Sequence, residues 1–329
     1  MRPVIIFIAI LLFTNCKTDN SVWKIKTPMS INRAFHSIAS IDNKIYVFGG
    51  STGKKSEFRD TTSSEMFDPQ KNRWTNIASM PEPITTSCAL ALNKKIYLIG
   101  GQQQTFSKRV NKVLLYDCDS NEWTYKTPMN IPRAFHCVAT LNNRIYAIGG
   151  RESDAEISTK SKDSLAVYTI EEYNISTDEW IVKTVLPFKH YTIGATTINN
   201  KIYILSDTIS NFKLSESAIL EEYDPATNTV KILSTMTPSK YDAAITEVNN
   251  RLYVFGGWNK GSLASVEEYN LETDKWTDKS NFLFVIQNSQ AISVQNRIFI
   301  CGGIVYPKDG NEKKDFMIEY MFRKDKFSK

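Results

Sequence analysis

An all-β fold is predicted by three features of the sequence: an aromatic content of 12%, short apolar runs punctuated by glycine and proline, and a unit that recurs about every fifty residues. No helical periodicity is sustained, and aromatic residues set between turn formers favour strands. The 329 residues are 42% hydrophobic, enough to bury a sizeable core and too apolar for a disordered segment. A net charge of +5, from 40 basic and 35 acidic residues interleaved along the chain, is too even for a nucleic-acid footprint.

The repeat is read first from its glycines. Asn43-Lys44-Ile45-Tyr46-Val47-Phe48-Gly49-Gly50 has copies at Lys95 to Gly101, Asn143 to Gly150, Arg251 to Gly257 and Arg297 to Gly303; Lys201 to Asp207 keeps the strand and loses both glycines. The first glycine or its replacement falls at 49, 100, 149, 206, 256 and 302, which makes six units. A second marker runs in phase: Phe67-Asp68-Pro69 precedes Trp74, Tyr116-Asp117 precedes Trp123, Tyr173-Asn174 precedes Trp180, Tyr223-Asp224-Pro225 precedes Val230 and Tyr269-Asn270 precedes Trp276. A third follows: Thr27-Pro28-Met29 and Thr127-Pro128-Met129 lead to Arg33-Ala34-Phe35-His36 and Arg133-Ala134-Phe135-His136.

Double glycine after an Ile-Tyr strand, then aromatic-Asp-Pro, then tryptophan, resembles the kelch family over nearly everything from Val22 to Phe327. The resemblance implies a six-bladed β-propeller, with residues 22–329 as one domain whose rim loops meet ligands. It leaves activity open, because such propellers serve as scaffolds, adhesins, substrate receptors and occasionally enzymes.

Each unit divides into four short antiparallel strands. The innermost, such as Ala34 to Ile41, turns into the next through Asp42-Asn43, Asn142-Asn143, Asn199-Asn200 or Asn249-Asn250, pairs that tolerate the positive φ of a two-residue hairpin. The second strand is apolar on both faces, as a strand between neighbouring blades must be, and the glycine pair permits close backbone approach. Ser206-Asp207 breaks that rule, so the fourth blade is expected to carry an altered loop. Tryptophans are expected to open the outer strands and fill the wedges between blades, with Val230 leaving a gap. Val22 to Lys26 is an outer strand with no inner strands before it, and only two residues follow Phe327. The N-terminal strand is therefore expected to complete the sixth blade and close the ring.

The N-terminus carries an export signal. Arg2 precedes an apolar run from Val4 to Phe13, too short to span a bilayer as a mature helix but long enough for the core of a signal peptide over residues 1–15. The run ends at Leu12-Phe13-Thr14-Asn15-Cys16 before polar Lys17-Thr18-Asp19-Asn20, and this resembles the lipobox of bacterial lipoproteins, although Phe13 and Asn15 stand where that motif has leucine and a small residue. Lipidation at Cys16 follows, with residues 16–21 as a short tether and the bacterial cell envelope as location; an ordinary secretory signal with an incidental cysteine is the alternative.

Aligned on the glycines, Arg33, Arg133, His190 and Lys240 share one repeat position, and His36 and His136 share another three residues on. A ring of basic groups at the channel mouth would bind the carboxylates of an acidic sugar or peptide, with Tyr191 and Tyr241 as stacking surfaces. The competing reading has the arginines and histidines capping strands or bridging blades. The polar loops Ser51 to Ser63, Arg151 to Ser164 and Tyr306 to Lys314 are either specificity loops or merely solvated. Cys88 and Cys137 align with Ser37, Cys301 with Phe48, and Cys118 replaces a turn proline, so core filling explains them better than disulfides.

No phosphate-binding glycine loop, paired metal histidines or nucleophile elbow is present, and with only three histidines a copper site like that of kelch oxidases is not expected. No cofactor or metal is expected. The function that follows is binding of a glycan, peptide or protein by a monomeric, lipid-anchored module. The alternative is a carbohydrate-active enzyme similar to sialic-acid epimerase kelch proteins, in which His36, His136 or His190 would move protons.

Overall fold

The computed structural model describes residues 21–53, 58–104, 108–151, 167–187, 190–210, 213–261, 263–279, 281–305, 312–313 and 316–322. Six four-stranded antiparallel sheets follow one another in chain order, with no helix among the described residues. From the inside outwards the first blade is Ser37–Ile41, Lys44–Phe48, Ser64–Asp68 and Arg73–Asn76, and the next four repeat that order. The sixth consists of Gln290–Val294, Arg297–Cys301 and Met317–Phe322, completed by Ser21–Lys26 from the other end of the chain. All six innermost strands turn back through a pair of residues with positive φ, including Asn93-Lys94 and Gln295-Asn296 alongside the four Asp/Asn-Asn pairs.

The core lies between blades. Tyr46 and Phe48 of the first blade pack with Ile96, Leu98, Leu114 and Tyr116 of the second, and Phe299, Cys301 and Met317 of the sixth pack with Ile45, Val47 and Phe67 of the first. Three tryptophans tie one blade to the linker that precedes it: Trp74, Trp123 and Trp180 donate their indole N–H to the carbonyls of Thr27, Ala78 and Thr127. In the fourth blade, where Val230 replaces the indole, the Asn228 amide donates instead to the Lys183 carbonyl at 2.8 Å, so the link survives the loss of the ring.

The glycine pair sets the spacing at the channel end of each interface. Gly50, Gly101, Gly257 and Gly303 donate their backbone N–H to the carbonyls of Ile84, Arg133, Ile286 and Arg33 of the following blade. At Gly49, with φ of 59°, an added Cβ would stand 2.5 Å from the Ile84 carbonyl oxygen, so neither backbone nor neighbour tolerates a side chain. The fourth blade, without glycines, runs straight on. Lys201–Ser210 and Lys213–Asp224 form a ribbon paired as far as Ser210↔Lys213, with an irregularity between Asp207 and Ile209.

The ring is closed by pairing from Ser21↔Phe322 to Lys26↔Met317. Trp23 meets the rings of Phe282 and Tyr320 at 4.6 Å each, and buried Lys26 pairs with Glu319 at 2.7 Å while Arg297 reaches the same carboxylate at 3.1 Å. Residues 1–20 and Phe327 lie outside the described residues. Because a half-buried indole is removed from an interface on which closure depends, Trp23→Ala is expected to cost about 2–4 kcal/mol, read by urea unfolding. An unchanged midpoint would show that the terminal strand does not contribute to closure.

Candidate functional site

The structure buries the basic residues that the repeat alignment gathers at one position. Arg33 and Arg133 are fully buried; Arg33 donates to the carbonyls of Gly49 and Ser63, to the Ser63 hydroxyl and, at 2.7 Å, to Glu65. Arg133 repeats the pattern on Gly149, Thr169 and Glu171, and Lys240 bonds Ser265 and Glu267. Desolvation lowers the pKa of Arg33 and Lys240, and the paired glutamate opposes it. The expected basic rim is thereby corrected: these three cations are neutralised inside their own blades. The reason is local. The carbonyls of Arg33 and Arg133 receive the glycine N–H of the preceding blade, which fixes the backbone at the interface, and all three side chains run to carbonyls, hydroxyls or a glutamate of their own blade.

The acidic partners were not visible to a search along the rim, because they sit on the third strand, where Glu65, Glu171 and Glu267 lie opposite Val47, Ala147 and Val254. In the second and sixth blades both members change together. Ile84 stands at the cationic position with Leu114 opposite Leu98, and Ile286 stands there with Ile318 opposite Ile300. Two of the six blades thus put apolar pairs where three put ion pairs.

His36 and His136 are also withdrawn from the rim, with exposures of 1% and 5%. Each wedges against the glycine of the preceding blade, His36 beside Gly302 and His136 beside Gly100, and His36 Nε2 lies 3.4 Å from Cys301 Sγ. Burial, reinforced by the neighbouring guanidinium, lowers both imidazoles to about 3 and keeps them neutral. His190 and Tyr191 begin the innermost strand of the fourth blade, opposite Thr208 and Asp207, but their side chains lie outside the described residues. So do most of the loops at 151–164 and 306–314. The four cysteines Cys88, Cys118, Cys137 and Cys301 are free, and burial pushes the Cys88 and Cys301 thiols up to about 12.

Tyr241 is half-buried. Its backbone pairs with Trp258, and the two rings lie 5.9 Å apart with Trp258 37% exposed. One residue on, a repeat position not singled out in the sequence forms the collar of the channel. Phe35, Thr86, Phe135, Asp242 and Asn288 each have φ between 52° and 58° and all line one cavity of about 320 Å³ along the axis. Amides link the collar from blade to blade: Asn288 N–H to Asp242 O, Phe35 N–H to Asn288 O and Thr86 N–H to Phe35 O. Left-handed backbone is costly for Phe and more so for β-branched Thr, and it persists where surrounding structure over-determines it. Phe58 lies 6.1 Å from Phe35, and the Arg109 guanidinium 5.9 Å over Phe135. The signal available in the sequence was Phe35 and Phe135 themselves, two residues past the arginines.

Two outcomes test this account of the buried groups. Glu65→Leu is expected to cost about 3–5 kcal/mol by stranding Arg33, whereas Arg33→Ile with Glu65→Leu, the pairing found in the second blade, is expected to recover most of it; equal losses in urea unfolding would refute the pairing. The histidines bind a proton more readily unfolded (ordinary pKa 6.5) than folded, so stability is full above about pH 6.5 and falls on acidification toward pH 3. At pH 5 this amounts to on the order of 1–2 kcal/mol per histidine, and His36→Gln with His136→Gln is expected to flatten the pH dependence between 7 and 5.

Known proteins place the fold. The family profile of the KLHDC2/KLHL20/DRC7 Kelch-repeats domain matches residues 9–150 and 87–303. Kelch-like protein 23 of Homo sapiens is 23% identical over 283 residues, 85% of this chain and 38% of that protein, and Beta-scruin of Limulus polyphemus is 34% identical over 96 residues, 29% of this chain and 10% of that protein. The chain therefore spans well under half the length of these relatives. The solved structure titled "Structure of YjhT" superposes with a TM-score of 0.71 at 15% identity, over 88% of this chain and 95% of that one. Matched by a family profile over most of its length, and built as six such sheets, the chain belongs to the Kelch-repeat family.

Proposed function

We propose that this chain is an exported interaction module, tethered by lipid at Cys16 to the bacterial cell envelope, that takes a protein partner on the face where the channel opens. The observation that carries the reading is the collar: half-exposed Phe35 and Phe135 are presented on left-handed backbone that cannot relax, and the fifth blade adds the Tyr241–Trp258 ring pair. Rigid aromatic side chains supply contact area at low entropic cost and dominate binding energy at interfaces. Protein association is also the shared expectation for kelch propellers. The tether rests on the sequence around Cys16 and the apolar run before it.

The enzyme reading needs a histidine within reach of a bound sugar. His36 is enclosed, His136 is only 5% exposed in the wall of the axial cavity, and the His190 side chain lies outside the described residues, so the exposed aromatic collar makes binding the better supported function.

Cross-linking of the full chain in intact cells tests the face. Phe135→Ala with Trp258→Ala is expected to abolish the cross-linked partner, while Tyr125→Ala, on the outer strand of the second blade, leaves it in place; retention in the double variant would exclude the collar. A glycan that binds with the same dependence on these residues would replace protein as the ligand class. Incorporation of labelled fatty acid, lost in Cys16→Ser with release of the chain from membranes, is the expected result for the anchor, and unchanged membrane association of that variant would remove it.

A further inference from the structure

The axial cavity carries carboxylates and no cationic side chain among the described residues. Among its walls are Asp242 in the collar and, five residues on, Glu247 in the innermost strand Ala244–Val248; no lysine or arginine lines it among the described residues. The imidazole among the described wall residues, His136, is neutral. Asp242 accepts from the Asn288 amide at 3.3 Å, and Glu247 accepts from the Asn250 backbone N–H at 2.8 Å, so among the described residues both carboxylates are held by neutral donors. The cations aligned near the mouth are committed elsewhere: Arg33, Arg133 and Lys240 are paired inside their blades.

From this charge pattern we infer that the collar receives a cationic side chain, a lysine or arginine carried by the partner protein, with Asp242 as its counter-charge and the rings of Phe35 and Phe135 as its walls. The inference rests on the binding reading above and reverses the sign of ligand that the sequence alignment suggested. Three physical features favour a cation. A carboxylate that is open to the channel but set in a concave cavity gains more from an opposite charge than one on a flat surface, because the low-dielectric walls focus its field. Aromatic faces attract ammonium and guanidinium groups. The long aliphatic stem of lysine or arginine suits a narrow cavity walled by Ile38, Val138, Ala244 and Ile245. Crowding by the channel walls pushes the Asp242 carboxyl upward from its ordinary value, with the Asn288 amide opposing, and a bound cation would act in the same sense as that amide. A glutamate or aspartate entering the same space would meet a like charge at either end.

The test uses the purified full chain and four capped pentapeptides, Gly-Gly-X-Gly-Gly, in which X is lysine, arginine, acetyl-lysine or glutamate, titrated to millimolar concentrations by calorimetry. The lysine and arginine peptides are expected to bind, and the acetyl-lysine and glutamate peptides to bind at least about tenfold more weakly. Asp242→Asn is expected to weaken the cationic peptides about tenfold. Asparagine adopts left-handed backbone readily and keeps a hydrogen bond to Asn288 within reach, so this variant is expected to fold, which its unfolding midpoint checks. Glu247→Gln reports separately on the far end of the channel. Equal binding by Asp242→Asn, preference for glutamate, or no binding by either cationic peptide would overturn the inference. Partner cross-linking that still depends on Phe135 and Trp258 would leave the interaction reading standing without it.

Discussion

Closure of the ring by Ser21–Lys26 against Met317–Phe322 is the constraint under which every other contact forms. Each blade buries both faces on its neighbours, so an open ring would leave two apolar faces in water, one of them holding Ile45, Val47 and Phe67. An unpaired outer edge would also remain on the last sheet. Joining the two ends removes both defects with one strand. The buried carboxylate of Glu319, held by Lys26 from one end of the chain and Arg297 from the other, fixes that strand in register.

Within the closed ring, blades are joined by polar links laid over apolar wedges. Indole N–H groups hold the outer rim, and glycine amides hold the channel end. The arginine position takes part in both directions, its carbonyl accepting from one blade and its guanidinium spanning its own. Buried ion pairs are weak sources of net stability. Their presence in the first, third and fifth blades, with aliphatic pairs in the second and sixth, fits a role in fixing register rather than in holding the fold together.

Much of this was legible in the chain. Glycine pairs, tryptophans and Asn-Asn turns mark positions where backbone geometry leaves few choices, so blade number, hairpins and the closing strand could all be read from them. The rim was misread because a repeat alignment gives position along the strand and not depth. Arg33 and Phe35 are two residues apart, yet one is enclosed and the other lines the cavity, since the backbone at Phe35 itself is left-handed. The glutamate partners escaped notice because cross-strand pairing, not sequence distance, brings them to the arginines. Had Glu65, Glu171 and Glu267 been aligned by strand register, their burial among apolar neighbours would have called for three cations.

The ribbon of the fourth blade bears on how anything could sit on this face. Five blades contribute a left-handed residue to the collar, whereas the fourth brings Thr192 in extended pairing with Ser206. A wheel of near-identical spokes offers a guest several equivalent headings. One unlike spoke removes that degeneracy and supplies a compass mark, so that a ligand lying across the opening has a single preferred bearing.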